Sequence, residues 1–342
     1  MTQIDNAVLP KGSLILVTGA NGFIASHVIE RLLSLGYKVR GTSRSASKLD
    51  NLKKKWDEKY PGQFEVAEVP DIMVEGAYDE AIKGVAGVAH VASNVSFSPK
   101  YEVVVNDAVQ STLVALKAAH ATPSVKRFVL TSSVVAIATP ESSREKGLKV
   151  GPKDFNHKTI EIAKSMDDSH PAKGGYVYGA SKTEGELAAW KFVKENNPSF
   201  DFSAVHPAFT VGEILDAESQ SGSTAGMLRD LFTGKSDMVL QIIPTIDVVP
   251  AVDIASLHAA ALLLPSVKSE RLFASAYATN WTTILEIFRK KYPQKTFTEN
   301  PKEMETYQIF DTESSLKALK ELGQEGWTPL EEALDQNVKA FA

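Results

Sequence analysis

The segment Leu14-Ile15-Leu16-Val17-Thr18-Gly19-Ala20-Asn21-Gly22-Phe23-Ile24-Ala25-Ser26-His27 constrains this chain more than any other. An apolar run stops at a glycine, a turn of small residues follows, and a helical pattern begins. That order sets a helix N-terminus, with its unpaired N–H groups, against an anion such as a dinucleotide pyrophosphate. In Gly19-x-x-Gly22-x-x-Ala25, Gly19 permits the tight turn and Gly22 lets the backbone approach a phosphate without a Cβ. Ala25 lets helix and strand pack closely. A strand–turn–helix without a ligand leaves the same pattern.

The alternation continues. Strand-like runs fall at 13–18, 38–42, 64–68, 87–91 and 127–131, with helical patterns at 25–35, 47–59, 78–82 and 106–119. A second set follows at 178–195 and 201–206. The fold class this predicts is α/β, a Rossmann-type doubly wound parallel sheet with a smaller C-terminal substrate lobe. Residues 1–207 form the dinucleotide-binding domain, joined by a returning segment near 245–265; residues 208–244 and 266–342 form the lobe. The polar stretch 140–175 is expected as loops beside the site, with a short helix at 159–165. Thr328-Pro329-Leu330-Glu331 predicts a capped start for the last helix.

Composition narrows the chemistry. The 342 residues carry a formal net charge of −5, which gives no footing for nucleic acid. The longest apolar stretch near 259–264 ends at Pro265, too short to span a membrane, and no signal peptide is visible. A cytoplasmic location is expected. There is no cysteine, so thiolate chemistry is excluded; none of the seven histidines forms a His-x-x-x-His pair, and no metal is expected. His90 is expected to be structural, and Lys53-Lys54-Lys55 a solvated helix face.

The end of the second strand bears on which dinucleotide binds. Val39-Arg40-Gly41-Thr42-Ser43-Arg44-Ser45-Ala46-Ser47-Lys48 holds no acid for a ribose 2′-hydroxyl. Arg44 and Lys48 could instead pair a 2′-phosphate, which favours NADP(H) over NAD. Arg40 is expected to alternate away. Asp71-Ile72, after the third strand, either meets the adenine or forms an ordinary turn.

Tyr178-Gly179-Ala180-Ser181-Lys182 puts a phenol and an ammonium on one helix face. The ammonium is expected to lower the phenol pKa and make it a better general acid for a carbonyl receiving hydride. Arg127-Phe128-Val129-Leu130-Thr131-Ser132-Ser133 is a buried-strand pattern ending in hydroxyls, where open α/β sheets bind ligands. Ser133 could hold the carbonyl oxygen, with Ser132 and Thr131 as competing choices.

With these residues in hand, the chain resembles the extended short-chain dehydrogenase/reductase superfamily. Thr18–Ala25, His90-Val91-Ala92-Ser93, Thr131–Ser133 and Tyr178-x-x-x-Lys182 occur in that family's order, and Val252–His258 resembles its later strand–helix junction. The likeness is greatest to the branch of dihydroflavonol reductases, cinnamoyl-CoA reductases and fungal NADPH-dependent carbonyl reductases, including the segments 5–10, 45–49 and 122–133. The resemblance implies catalysis by Ser133, Tyr178 and Lys182. It implies NADP(H) contacts at Gly19, Asn21, Gly22, Phe23, Ile24, Arg44, Lys48, Asp71, Ile72, Ala92, Ser93, Lys182 and Pro207. It also implies reduction of ketones or aldehydes to chiral alcohols. A monomer or homodimer is expected. One departure stands out: Gly174-Gly175 replaces a large residue, which should enlarge or loosen the pocket.

Candidate pocket walls are Phe97, Val134, Gly175, Val177, Phe209 and Gln241, each equally readable as core. Other functions remain open on the same fold. A sugar-nucleotide epimerase would need cations for a diphosphate, for which only scattered ones such as Arg229 and Arg271 are available. A hydroxysteroid dehydrogenase, or an NADP sensor without catalysis, is a further alternative.

Overall fold

A computed structural model describes residues 6–243, 246–302 and 305–342. The first five residues and the start of the returning segment at 245 lie outside the described residues. The strands are β1 (Leu14–Val17), β2 (Lys38–Ser43), β3 (Phe64–Glu68), β4 (Gly87–His90), β5 (Arg127–Thr131), β6 (Asp201–Pro207), β7 (Phe209–Val211), β8 (Ile246–Pro250), β9 (Arg271–Ala274) and β10 (Tyr277–Thr279). The helices are α1 (Phe23–Ser34), α2 (Asp50–Lys59), α3 (Tyr101–His120), α4 (His157–Ser165), α5 (Lys173–Asn196), α6 (Thr224–Phe232), α7 (Val239–Ile242), α8 (Ala251–Leu263), α9 (Trp281–Lys291), α10 (Glu313–Glu321) and α11 (Leu330–Val338).

Seven strands form one sheet in the order β3-β2-β1-β4-β5-β6-β9. Every pairing in it is parallel. Short runs such as Leu14-Ile15-Leu16-Val17 and Arg127-Phe128-Val129-Leu130-Thr131 carry little alternation because helices cover both faces. Val28, Ile29 and Leu32 of α1 pack with Leu257, Ala260 and Leu263 of α8 on one face. On the other, Val114 and Leu116 of α3 meet Ala189 of α5. The order reverses between β1 and β4, and that switch point is where such sheets open a crevice for ligands. A three-stranded sheet, β10-β8-β7, packs with α6, α9 and α11 around Trp281, Phe232 and Phe288.

Several expectations change. Residues 78–82 form turns, not a helix. Tyr78, Ala81, Ile82 and Val85 are buried at helical spacing, but Gly76 and Gly84, at φ +81° and +77°, bracket the segment. The strand β9, expected in the smaller lobe, pairs with β6 and completes the main sheet. Its Leu272 and Phe273 are buried, which suits a covered parallel strand. The polar stretch ends early, because α5 begins at Lys173 and Tyr178 lies in its second turn. Thr328 does not cap α11: its hydroxyl and its N–H both bond the buried Asp253 carboxylate, and Pro329 holds the cap position.

Candidate active site

Thr18 closes the end of β1. Its Oγ1 accepts the N–H groups of Val91 at 3.0 Å and Ala92 at 2.9 Å, and lies 3.1 Å from His90 Nδ1. This ties the ends of β1 and β4 together across the switch point. Gly19 follows at φ +70°, and a Cβ there would lie 3.1 Å from Ala92 Cα. Backbone conformation and space both select glycine. Gly22 occupies the cap position of α1 with no side-chain cap, and no acid stands in the first turn. An uncapped helix end with no carboxylate, entered by a glycine turn, suits a pyrophosphate. Asn21 and Ile24 are half-buried on this turn, whereas the Phe23 ring is buried against Ala225 and Ala251.

Arg44 and Lys48 are both exposed just past β2, and neither has an ion pair among the described residues. Glu68 accepts the Ala46 N–H at 2.7 Å and pins the loop between them. Arg40 turns away, bonding Glu65 and the carbonyls of Ala81 and Lys83. Asp71 accepts the Met73 N–H at 2.9 Å, so it closes a turn, with Ile72 half-buried beside it.

The three hydroxyls after β5 have separate fates. Thr131 Oγ1 lies 2.8 Å from His258 Nε2, and Ser132 donates to Glu186 at 2.7 Å. Both are committed inward. Ser133 makes only long contacts, to Pro207 O and from Val135 N–H, each 3.4 Å, and its hydroxyl is near enough to Tyr178 to favour the phenolate. Among the three, Ser133 is therefore the one facing the phenol.

Lys182 is buried and donates to Ser93 Oγ at 3.2 Å and to Thr131 O at 3.4 Å. Its Nζ lies 5.9 Å from the Tyr178 ring centroid. Burial pushes the ammonium down to about 8, opposed by the Glu186 carboxylate. The expected lowering of Tyr178 by this ammonium is not what dominates. Burial raises the phenol above its ordinary value, and the Ser133 hydrogen bond only partly offsets this.

Of the expected walls, Phe97 comes closest to the chemistry. It is exposed, and its ring centroid lies 5.2 Å from that of Tyr178 at a 46° tilt. Gly174 is what admits it: a Cβ there would lie 2.1 Å from Phe97 O. The missing side chain at 174 is thus filled by the Phe97 backbone, which corrects the expected loosening. Gly175 is exposed and faces open space. Val177, one residue before Tyr178 and about 100° around the helix, is core, packed with Val104, Val105 and Ala163. Phe209 is core as well, edge-on to Trp281. Val134 is half-buried against Phe273 and Phe310, and Gln241 is exposed on α7.

Sequence reasoning missed Thr18, Glu186 and His206. Glu186 had a signal, since it lies one turn past Lys182 and hence on the same helix face. The cations considered for a sugar nucleotide are engaged: Arg271 with Glu186 and the carbonyls of Pro152 and Asp154, Arg229 with Asp230.

This sheet, glycine turn and Ser–Tyr–Lys grouping define a nucleotide-binding α/β protein of the oxidoreductase kind. The chain belongs to the NAD dependent epimerase/dehydratase family, whose model matches residues 15–272. It is 54% identical to an aldehyde reductase 2 of Sporidiobolus salmonicolor over 98% of this chain and 97% of that one. It is 39% identical to a ketoreductase, adrE, of Penicillium rubens, over 99% of each chain. Among solved structures it is similar to the yeast methylglyoxal/isovaleraldehyde reductase Gre2 complexed with NADPH. There the TM-score is 0.79 at 25% identity, covering 95% of this chain and 97% of that one.

Proposed function

We propose that the protein is an NADPH-dependent carbonyl reductase that converts ketones or aldehydes, keto esters and aryl ketones among them, to chiral alcohols. The observation that carries this is the placing of Ser133 and Tyr178 beside buried Lys182, at the carboxyl ends of the central strands where the glycine turn opens. When bound, NADPH supplies the hydride. The glycine turn at Gly19 and Gly22, with the backbone of Asn21, Phe23 and Ile24, takes the pyrophosphate. Arg44 and Lys48 take the 2′-phosphate, Asp71 and Ile72 flank the adenine, and Ala92, Ser93 and Pro207 border the nicotinamide end. All of these residues lie within 1–207, the part of the chain that with α8 and β9 makes up the dinucleotide-binding domain.

The substrate oxygen is received between Ser133 Oγ and the Tyr178 hydroxyl. Burial keeps the phenol protonated at neutral pH, which is the state a proton donor requires. Tyr178 passes its proton to the oxygen as charge develops there, and Lys182 stabilises the phenolate left behind. Phe97 covers one side of the phenol. The reading includes a small-molecule carbonyl substrate, a cytoplasmic location, and action as a monomer or homodimer without nucleic acid or membrane. No helix among the described residues is long and apolar enough to cross a membrane.

The test is consumption of NADPH, and separately NADH, with β-keto esters, aryl ketones and aldehydes. Turnover with NADPH supports the proposal. Tight NADPH binding with no turnover on any of these carbonyls sinks it in favour of a sensor.

A prediction on the pocket follows from Gly174. Gly174→Ala should push the Phe97 backbone off α5 and lift the ring from Tyr178. An aromatic pair is worth about 0.5–1.5 kcal/mol, so KM for aryl ketones should rise roughly 2–10-fold, with little change for small aldehydes. Phe97→Ala should do the same, and the double variant should be no worse than either single one. Additive KM effects in that cycle would refute the coupling.

A further inference from the structure

Beneath Lys182 lies a buried ion cluster that the steps above do not use. Glu186 follows Lys182 by one turn of α5 and is 1% exposed. One carboxylate oxygen accepts Ser132 Oγ at 2.7 Å and His206 Nε2 at 2.8 Å. The other accepts Arg271 Nε at 2.6 Å and Trp190 Nε1 at 3.1 Å. Arg271 also donates to Pro152 O and Asp154 O and lies 3.9 Å over the Phe155 ring. Four donors hold the carboxylate in place, and β6, β9 and the end of β5 converge on it. Glu186 lines the same narrow cleft as Ser93, Thr131 and Lys182.

We propose that Glu186, held anionic and immobile by Arg271 and His206, is a positioning residue that keeps Lys182 protonated during reduction. This rests on the reductase reading. The groups facing Lys182 are Tyr178 and Glu186 from its own helix, His90 of β4, Ser93 beyond it, and the Thr131 carbonyl of β5. Burial and the Lys182 charge push His90 down to about 3, so it is neutral, and Tyr178 is raised and neutral as well. Glu186 is thus the one anion of this group that opposes the desolvation of the ammonium. Its own pKa is held below the usual carboxylate range, because His206 and Arg271 outweigh the cost of burial. A group that stayed neutral near pH 7 could not serve, since the field at Lys182 would vanish.

The signs of two variants separate this from a purely structural role. Glu186→Gln keeps most of the hydrogen bonds and removes the charge. Arg271→Gln keeps a donor toward Glu186 and removes the compensating cation. The measurement is kcat against pH, with saturating NADPH and a ketone, beside the melting temperature of each variant. Glu186→Gln should move the alkaline limb to lower pH by about one unit. Arg271→Gln, which lets burial return Glu186 toward its neutral form, should move it the same way. Limbs that stay put, or that move to higher pH, overturn the proposal. If only one variant folds, the sign of its shift decides. Loss of the fold in both assigns the cluster to folding alone and overturns the proposal. A wild-type protein that reduces no carbonyl defeats the reductase reading and the proposal with it, whereas an active enzyme with an immobile limb defeats the proposal alone.

Discussion

Tyr178→Phe should lower kcat for carbonyl reduction by about 10²–10⁴-fold, the range spanned by a positioned general acid, and leave NADPH affinity nearly unchanged. The substitution removes one oxygen and keeps the ring under Phe97. Ser133 and Lys182 keep their places, because Lys182 is anchored to Ser93 and Thr131 and not to the phenol. The lost interaction is made chiefly in the transition state, so kcat and kcat/KM should fall together. Steady-state kinetics alongside NADPH titration by fluorescence check this. Full turnover in the variant would remove Tyr178 from the mechanism.

The raised phenol carries its own consequence for direction. A proton donor must hold its proton, and burial does this for Tyr178 across neutral pH. Alcohol oxidation runs the transfer backwards and needs the phenolate. Its rate should therefore climb with pH through neutrality, while reduction holds level there and declines on the alkaline side as Lys182, near 8, loses its proton. Comparing the two directions on one alcohol–ketone pair tests it. Profiles that rise and fall together would show that Tyr178 is not the group that gives and takes the proton.

Much of this arrangement was legible in the residues. The bounds 64–68 and 127–131 coincide with β3 and β5, since each is a short run bounded by polar or turn residues. The glycine turn and the Tyr–Lys pair were visible because their spacing carries the chemistry. What could not be read depends on contacts across distant segments. The choice among Thr131, Ser132 and Ser133 turns on His258 and Glu186, which lie 127 and 54 residues away from their partners. Thr328 looked like a cap because the local pattern allowed it, but the buried Asp253 takes its hydroxyl. Gly174 looked like a missing wall, and only the path of the chain at Phe97 shows the space is filled by backbone. Val177 went astray for a simpler reason: neighbours in a helix point different ways, and the tyrosine's direction says nothing for the residue before it.

The second large effect concerns cofactor choice. Arg44→Ala with Lys48→Ala should raise KM for NADPH about 10–100-fold, or roughly 1.4–2.8 kcal/mol, and leave KM for NADH within a factor of about two. The estimate is held down because both cations are exposed, and exposed pairs with a phosphate are screened by water and salt. It is not smaller, because the loop is fixed beforehand. Glu68 holds the Ala46 N–H, and Ser45 and Ser47 share a hydrogen bond at 3.0 Å, so little ordering remains to be done on binding. Arg44 supplies the planar fork and should account for more of the loss than Lys48. The preference for NADPH should also weaken as ionic strength rises. Equal losses with both cofactors would mean that Arg44 and Lys48 support the loop, and that the 2′-phosphate is read elsewhere.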